Sequence, residues 1–474
     1  MIKLGLIYLH KGGMAPPLGL MSIATYLRKN FKDAKLKIKI IDINFDDILW
    51  EIKRNNFDIV GLGAMTIEYK KAILLSQEIK KIKPRLPVII GGVHISTLPH
   101  SFHPIFDFGV IGEGEETFLD LLKLYNQEKS LPIKKLRKIK GLVFREENKI
   151  IITKERLLIE DLDDLPVVDR SLINKKYFDF YPLTTWGEFG REFPILTSRG
   201  CPYQCVFCST KKFWKRVRYH SIDHVVDDVK DLIENYGVTH IQIWDDLFTI
   251  NKQRLREMAL RFKEEGINKK VKFNCQPRAN LIDEEMCQIL KALNVRIVMF
   301  GFESGSEKTL NFLKAGTVKV SQNKKAIKLC VKNGFKVQGS VIFGVPGETV
   351  KEMKKTIDFL KFALKSGVER LWSFVLTPFP ATIIWEIVKK RGKVADNMDW
   401  EILSHQGIDN PLCLDENISK EEFKRIFLEG RAIINRFKWR KVFSFVKNNP
   451  FLTIYYFFKK PWSYFSYLFA KRGF

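Results

Sequence analysis

Ser198-Arg-Gly-Cys-Pro-Tyr-Gln-Cys-Val-Phe-Cys-Ser209 closes an apolar run, Ile195–Ser198, and decides how the chain is read. Three thiols, Cys201, Cys205 and Cys208, fall within eight residues, and Phe207 stands just before the last. Three thiolates on one tight loop can hold three irons of a 4Fe–4S cluster. No fourth Cys is adjacent, so one iron would stay open to a small ligand. A structural zinc site would want four ligands, usually as two paired half-sites. His220 and His224 are at helix spacing, but no Cys accompanies them. The cluster is preferred over zinc and over chance clustering.

Working outward, βα alternation surrounds this loop. Candidate strands are Ile195–Ser198, His240–Trp244, Lys272–Cys275, Arg296–Phe302, Lys336–Phe343 and Arg370–Leu376. Amphipathic helices separate them, among them Ile222–Tyr236 and Thr349–Lys365. Six such repeats predict a partial (βα)6 barrel with its working residues at the carboxyl ends of the strands.

Residues 1–125 also alternate short apolar runs with amphipathic stretches, which implies a doubly wound, Rossmann-like parallel sheet. Glycine-rich turns fall at strand ends, where such sheets bind ligands: Gly61/Gly63, Gly91-Gly92 and Gly112/Gly114. Met1–Leu9 is too short for an export signal and reads as a first buried strand. A hairpin, Gly141–Arg145 with Lys149–Lys154, and an acidic connector, Glu160-Asp-Leu-Asp-Asp-Leu-Pro166, lead into the barrel. The predicted divisions are 1–135, 136–190, 191–395 and a helical region 396–474.

The net charge of +26 fits either a lysine-rich solvated surface or an anionic partner. The four scattered cysteines (Cys275, Cys287, Cys330, Cys413) read as buried small hydrophobes, and the cluster reading of the triplet carries the expectation of a reduced, cytoplasmic setting. No stretch approaches the length of a membrane span. Residues 436–474 carry nine Lys/Arg, 15 aromatics and no Asp or Glu. This tail is either a helical cap on the barrel or a peripheral membrane segment, and the lack of acids favours the second. Nucleic acid ranks behind both.

Cys-x-x-x-Cys-x-aromatic-Cys after the first strand of a βα barrel resembles the radical S-adenosylmethionine superfamily. The resemblance implies that Cys201, Cys205 and Cys208 ligate the cluster and that Phe207 faces the adenine of S-adenosylmethionine. In Trp244-Asp-Asp246, Asp245 and Asp246 would hold the methionine amine. Glu303, in Gly301-Phe-Glu-Ser-Gly-Ser306, resembles the ribose-binding carboxylate. Ser340 and Gly344, in Gly339-Ser-Val-Ile-Phe-Gly-Val-Pro-Gly-Glu348, would flank the adenine. Tyr219, Arg278 and Thr377-Pro-Phe-Pro-Ala-Thr382 are placed near the pocket by position, with Ala381 where the family pattern has Gly.

Pro16-Pro-Leu-Gly-Leu20, Gly91-Gly-Val-His94 and Gly112-Glu-Gly-Glu115 together resemble the cobalamin-binding domain fused before such barrels. Pro17, Gly19, Gly91, Gly92, His94, Gly112, Glu113 and Gly114 are the implied cofactor-binding residues. The Asp-x-His-x-x-Gly motif that ligates cobalt in other cobalamin enzymes is absent, so His94 is not assigned as a cobalt ligand. The implied activity is cobalamin-dependent methylation of an unactivated carbon, on a lipid or other small-molecule substrate, with electrons from a flavodoxin or ferredoxin. Two S-adenosylmethionine molecules would be consumed per turnover. A radical oxidative cyclase or C–C bond-forming enzyme, of the kind that closes tetrapyrrole or lipid rings, and a non-enzymatic metal-binding module are the alternatives.

Overall fold

The computed structural model describes residues 1–12, 15–179, 190–403 and 407–448, with the backbone alone over 437–448. It resolves into two compact units. The first comprises Met1–Gln276, Gln288–Val295 and Phe379–Leu403; the second comprises Pro277–Cys287, Arg296–Pro378 and the described part of Ser404–Phe474.

The first unit opens with the predicted doubly wound sheet. Its strands are β1 (Ile2–Tyr8), β2 (Leu36–Asp42), β3 (Ile59–Gly63), β4 (Val88–Gly91), β5 (Phe108–Val110), β6 (Leu142–Glu146) and β7 (Lys149–Ile152), in the order β2-β1-β3-β4-β5-β6-β7. Pairing is parallel through β5 and antiparallel for β6 and β7, which form the predicted hairpin. Helices on both faces keep β1, β3 and β4 nearly free of exposed residues, which is why these strands are continuous apolar runs. Gly92 follows β4 at φ +99°, and a Cβ there would lie 2.7 Å from the Ala64 carbonyl oxygen, so only glycine fits.

The same unit contains β8 (Glu192–Ile195), a short antiparallel pair of β9 (Ser198–Arg199) with β10 (Arg218–Tyr219), β11 (His240–Ile243) and β12 (Lys272–Cys275). β8, β11 and β12 pair in parallel. The predicted strand Ile195–Ser198 needs correction. β8 ends at Ile195, and beyond Leu196 the amides of Thr197 and Ser198 turn to the buried Asp245 carboxylate instead of a neighbouring strand. The following helix, Ile222–Tyr236, is capped by Ser221 and stopped by Gly237 at φ +61°.

In the second unit β13 (Val295–Glu303), β14 (Lys336–Phe343) and β15 (Arg370–Val375) pair in parallel. Helix Lys420–Asn448 covers this sheet through Phe423 and Phe427, the latter edge-on to Phe343 at 5.7 Å. Residues 436–448 of the basic aromatic tail thus continue one long helix, where short helices were expected, and 449–474 lie outside the described residues. No helix among the described residues is long and apolar enough to cross a membrane.

Candidate functional site

The cysteine loop leaves β9 at Gly200, whose φ of +101° and 2.3 Å clearance from the Arg216 carbonyl oxygen exclude any side chain. A turn from the Cys208 amide to the Cys205 carbonyl, 3.0 Å, closes the loop. Cys201 and Cys205 are partly exposed and Cys208 is exposed, whereas the other four cysteines are buried. Three accessible thiols on one closed loop match the donor set of a cluster with one open iron.

The two aspartates after β11 divide their work. Asp245 is buried and its carboxylate is saturated. Oδ1 accepts from the amides of Thr197 (2.6 Å) and Ser198 (3.2 Å), and Oδ2 from both hydroxyls at 2.6 Å. Burial raises its pKa and these donors oppose the rise. In this arrangement Asp245 positions the turn before the cysteines. Asp246 is exposed and staples the two ends of the loop, accepting from the Gly200 amide at 2.9 Å and the Thr210 hydroxyl at 3.2 Å.

Arg199 ties this loop to the amino-terminal sheet. It reaches Glu113 at 2.5 Å and Glu115 at 2.8 Å, while Arg218 pairs with Glu113 at 2.9 Å. Glu113 also accepts the Ile159 amide at 2.8 Å. The Glu113 carboxylate is thus occupied by two arginines and a backbone amide inside the unit. Glu115, at the start of helix Glu115–Glu128, accepts the Ser22 hydroxyl at 2.6 Å. Burial raises the Glu115 pKa, but the charge of Arg199 and these hydrogen bonds outweigh it and leave the carboxyl below its ordinary range.

His94 is fully buried, stacked on Tyr69 at 3.9 Å and edge-on to Trp400 at 4.6 Å. Nε2 meets the Ser101 hydroxyl at 2.9 Å, and burial lowers its pKa to about 3. It is a neutral histidine packed in the core. Gly19 and Gly112 do offer bare backbone. A Cβ added at either would meet nothing within 4 Å, as suits the approach of a flat macrocycle. Pro17 caps the helix that carries Gly19, Gly91 ends β4, and Gly114 packs against Ile23.

A cleft of about 410 Å³ lies between the turn after His94, the helix after Cys208 and the loop holding Ala381. Thr97, Lys212, Phe213, Glu386 and Lys389 line it. Ala381 sits at φ +61°, the left-handed conformation that explains why the family pattern has Gly at this position. Tyr219 serves as a shelf under the guanidinium of Arg254, 5.0 Å from the ring centre.

In the second unit Glu303 ends β13 at φ +59°, next to a register shift, and is buried against Lys314 at 2.7 Å. Strain of this kind at a strand end accompanies functional sites. Ser340 is half-buried within β14, and Gly344 follows it at φ +77°. Glu348 receives the Gly344 and Val345 amides on Oε2 at 2.9 and 3.2 Å. Burial pushes its carboxyl up to about 8, and Oε1 has no partner among the described residues. Buried Arg278 donates to the Thr317 hydroxyl at 2.5 Å.

Sequence reading missed Arg199, Arg218, Glu115, Arg254 and Lys314. Arg199 and Glu115 stand inside quoted motifs, so adjacency to Gly200 and Glu113 was the available clue. The other three carry no local pattern.

Residues 195–360 match the Radical SAM superfamily, and residues 6–122 match the B12 binding domain. An uncharacterized methyltransferase of Pyrococcus horikoshii is 33% identical over 385 residues, 79% of each chain. An anaerobic magnesium-protoporphyrin IX monomethyl ester cyclase of Cereibacter sphaeroides is 26% identical over 388 residues, 80% of this chain and 60% of that enzyme. The solved radical S-adenosylmethionine methyltransferase TsrM of Kitasatospora setae, with cobalamin and a 4Fe–4S cluster bound, shares the fold. Its TM-score is 0.68 at 19% identity, over 90% of this chain and 85% of that one. The cofactors that follow are a 4Fe–4S cluster, S-adenosylmethionine and cobalamin. The chain belongs to the cobalamin-dependent radical S-adenosylmethionine enzymes.

Proposed function

We propose that this enzyme transfers a methyl group to an unactivated carbon of a hydrophobic small molecule. The observation that carries the reading is the buried tie from Arg199, beside the cysteine loop, to Glu113 and Glu115 of the cobalamin-binding domain. It holds the loop in fixed register with that domain, as a transfer involving two cofactors and one acceptor requires. The name of the Pyrococcus horikoshii relative points the same way.

In this reading Cys201, Cys205 and Cys208 hold the cluster. Asp246, Glu303, Phe207, Ser340 and Gly344 serve S-adenosylmethionine, while Pro17, Gly19, Gly91, Gly92, Gly112 and Gly114 shape the cobalamin face. When bound, the cluster supplies the electron that opens S-adenosylmethionine to a 5′-deoxyadenosyl radical, and cobalamin supplies the methyl group. The chain's own contribution is rigidity. Asp245 fixes the turn ahead of Cys201, Asp246 clamps both ends of the loop, and Lys314 orients the Glu303 carboxylate. The acceptor class rests on the basic aromatic tail, which suits a lipid or isoprenoid presented at an anionic membrane surface. A flavodoxin or ferredoxin would deliver the electron.

The test is anaerobic incubation of reconstituted enzyme, reductant and methyl-labelled S-adenosylmethionine with isoprenoid acceptors. S-adenosylhomocysteine together with 5′-deoxyadenosine and a labelled lipid supports the reading. 5′-Deoxyadenosine without S-adenosylhomocysteine would favour a second reading, oxidative ring formation, which the similarity to the cyclase supports.

A further inference from the structure

Away from the cysteine loop, Asp163, His220 and His224 bring one carboxylate oxygen and two imidazole nitrogens within 4.8 Å of one another. Asp163 belongs to the acidic connector Glu160–Asp164. His220 follows β10, and His224 lies in the first turn of helix Ile222–Tyr236. The Ser221 cap fixes the turn between the histidines by accepting the His224 amide at 3.1 Å. Their rings stack at 4.1 Å and 18°, and each has its Nδ1 close to Asp163.

Both nitrogens face a single atom, Oδ1 of Asp163, at 3.2 Å from His220 and 3.6 Å from His224. Two ligand atoms that each stand about 2.1 Å from one tetrahedral zinc lie roughly 3.4 Å apart. The two observed separations bracket that value. Hydrogen bonding to Oδ1 accounts for His220 at 3.2 Å and for the Ser221 amide at 3.0 Å, but not for His224, whose Nδ1 at 3.6 Å is too far for one. Behind the pair, Arg254 donates to the His220 carbonyl at 2.8 Å and holds the residue in place.

We propose that Asp163, His220 and His224 form a second metal site, distinct from the cysteine loop, for a divalent transition ion of the zinc class. Two imidazoles and one carboxylate suit such an ion, and three protein ligands leave a fourth position for water. Bound metal would pin the acidic connector to the start of the helix and add stability to the folded state.

The test uses holoenzyme whose cysteine loop is already filled with iron. It is equilibrated with Zn²⁺ and stripped of loosely held metal, then iron, cobalt and zinc are counted per chain. The zinc environment is read by X-ray absorption. The expected result is one zinc with nitrogen and oxygen neighbours at about 2.0–2.1 Å, and a melting temperature that rises with added Zn²⁺. Asp163→Asn and His224→Gln should weaken zinc binding at least about tenfold and abolish the melting shift, with iron and cobalamin contents unchanged. Zinc with sulfur neighbours, no zinc retained by the parent, or equal zinc in parent and variants would overturn the proposal. The absorption spectrum and melting shift of the parent decide the matter even if a variant fails to fold.

Discussion

The Arg199 guanidinium, two residues before Cys201, places Nη2 2.8 Å from Oε1 of Glu115, across 84 residues of sequence. Both side chains are buried, so this ion pair is spared the screening that weakens surface pairs. It joins the loop proposed to hold the cluster to the motif that resembles a cobalamin-binding turn. Arg199→Ala leaves two buried carboxylates short of a partner and should cost about 3–5 kcal/mol. Arg199→Lys should recover part of the loss, and chemical denaturation of the holoenzyme measures both.

The same pair has a pH signature. Glu115 titrates below its unfolded value of 4.5. Its contribution to stability is complete above that pH and disappears as pH falls through the lower folded value. Acid unfolding should therefore begin at higher pH in Arg199→Ala than in the parent.

Cys205→Ala should abolish reductive cleavage of S-adenosylmethionine, read as loss of 5′-deoxyadenosine, while bound cobalamin stays at parental levels. Persistence of cleavage would refute the assignment of the triplet.

The two aspartates should separate by phenotype. Asp245→Ala strips partners from the Thr197 and Ser198 amides and should destabilise the protein by about 1–3 kcal/mol for each group left unsatisfied. Asp246→Ala frees an exposed staple, so stability should change by less than about 1 kcal/mol. Iron content and S-adenosylmethionine affinity should fall instead, as iron analysis and equilibrium dialysis would register.

His94 should be silent in cobalamin binding and visible in folding. His94→Phe should leave cobalamin content and its absorption spectrum unchanged. Because the folded pKa is lowered to about 3, the parent loses stability as pH falls below 6.5, and this part of the loss should be missing in the variant. Urea midpoints between pH 7 and pH 4 test it.

Glu348 has the opposite sign. Its carboxyl is raised to about 8, so its contribution is complete below pH 4.5 and is lost as pH rises through 8. Glu348→Gln keeps the acceptor for the Gly344 and Val345 amides and should flatten the alkaline decline in melting temperature.

The sequence by itself determined the two sheets, their order, and the cysteine loop at the carboxyl end of a strand. Period, glycine placement and thiol spacing are local properties that survive without a third dimension. The motifs also named the segments proposed to meet the cofactors. They did not decide which member of each motif faces outward. Asp245 and Asp246 are neighbours in sequence, yet one is buried and saturated by Thr197 and Ser198 while the other is exposed. Glu113 and His94 stand inside recognisable motifs and turn inward, because distant partners (Arg218, Tyr69 and Trp400) satisfy or enclose them. The grouping of Asp163 with His220 and His224 belongs to the same class of fact. It joins a connector to a helix some sixty residues away, and only packing brings such residues within reach of one another.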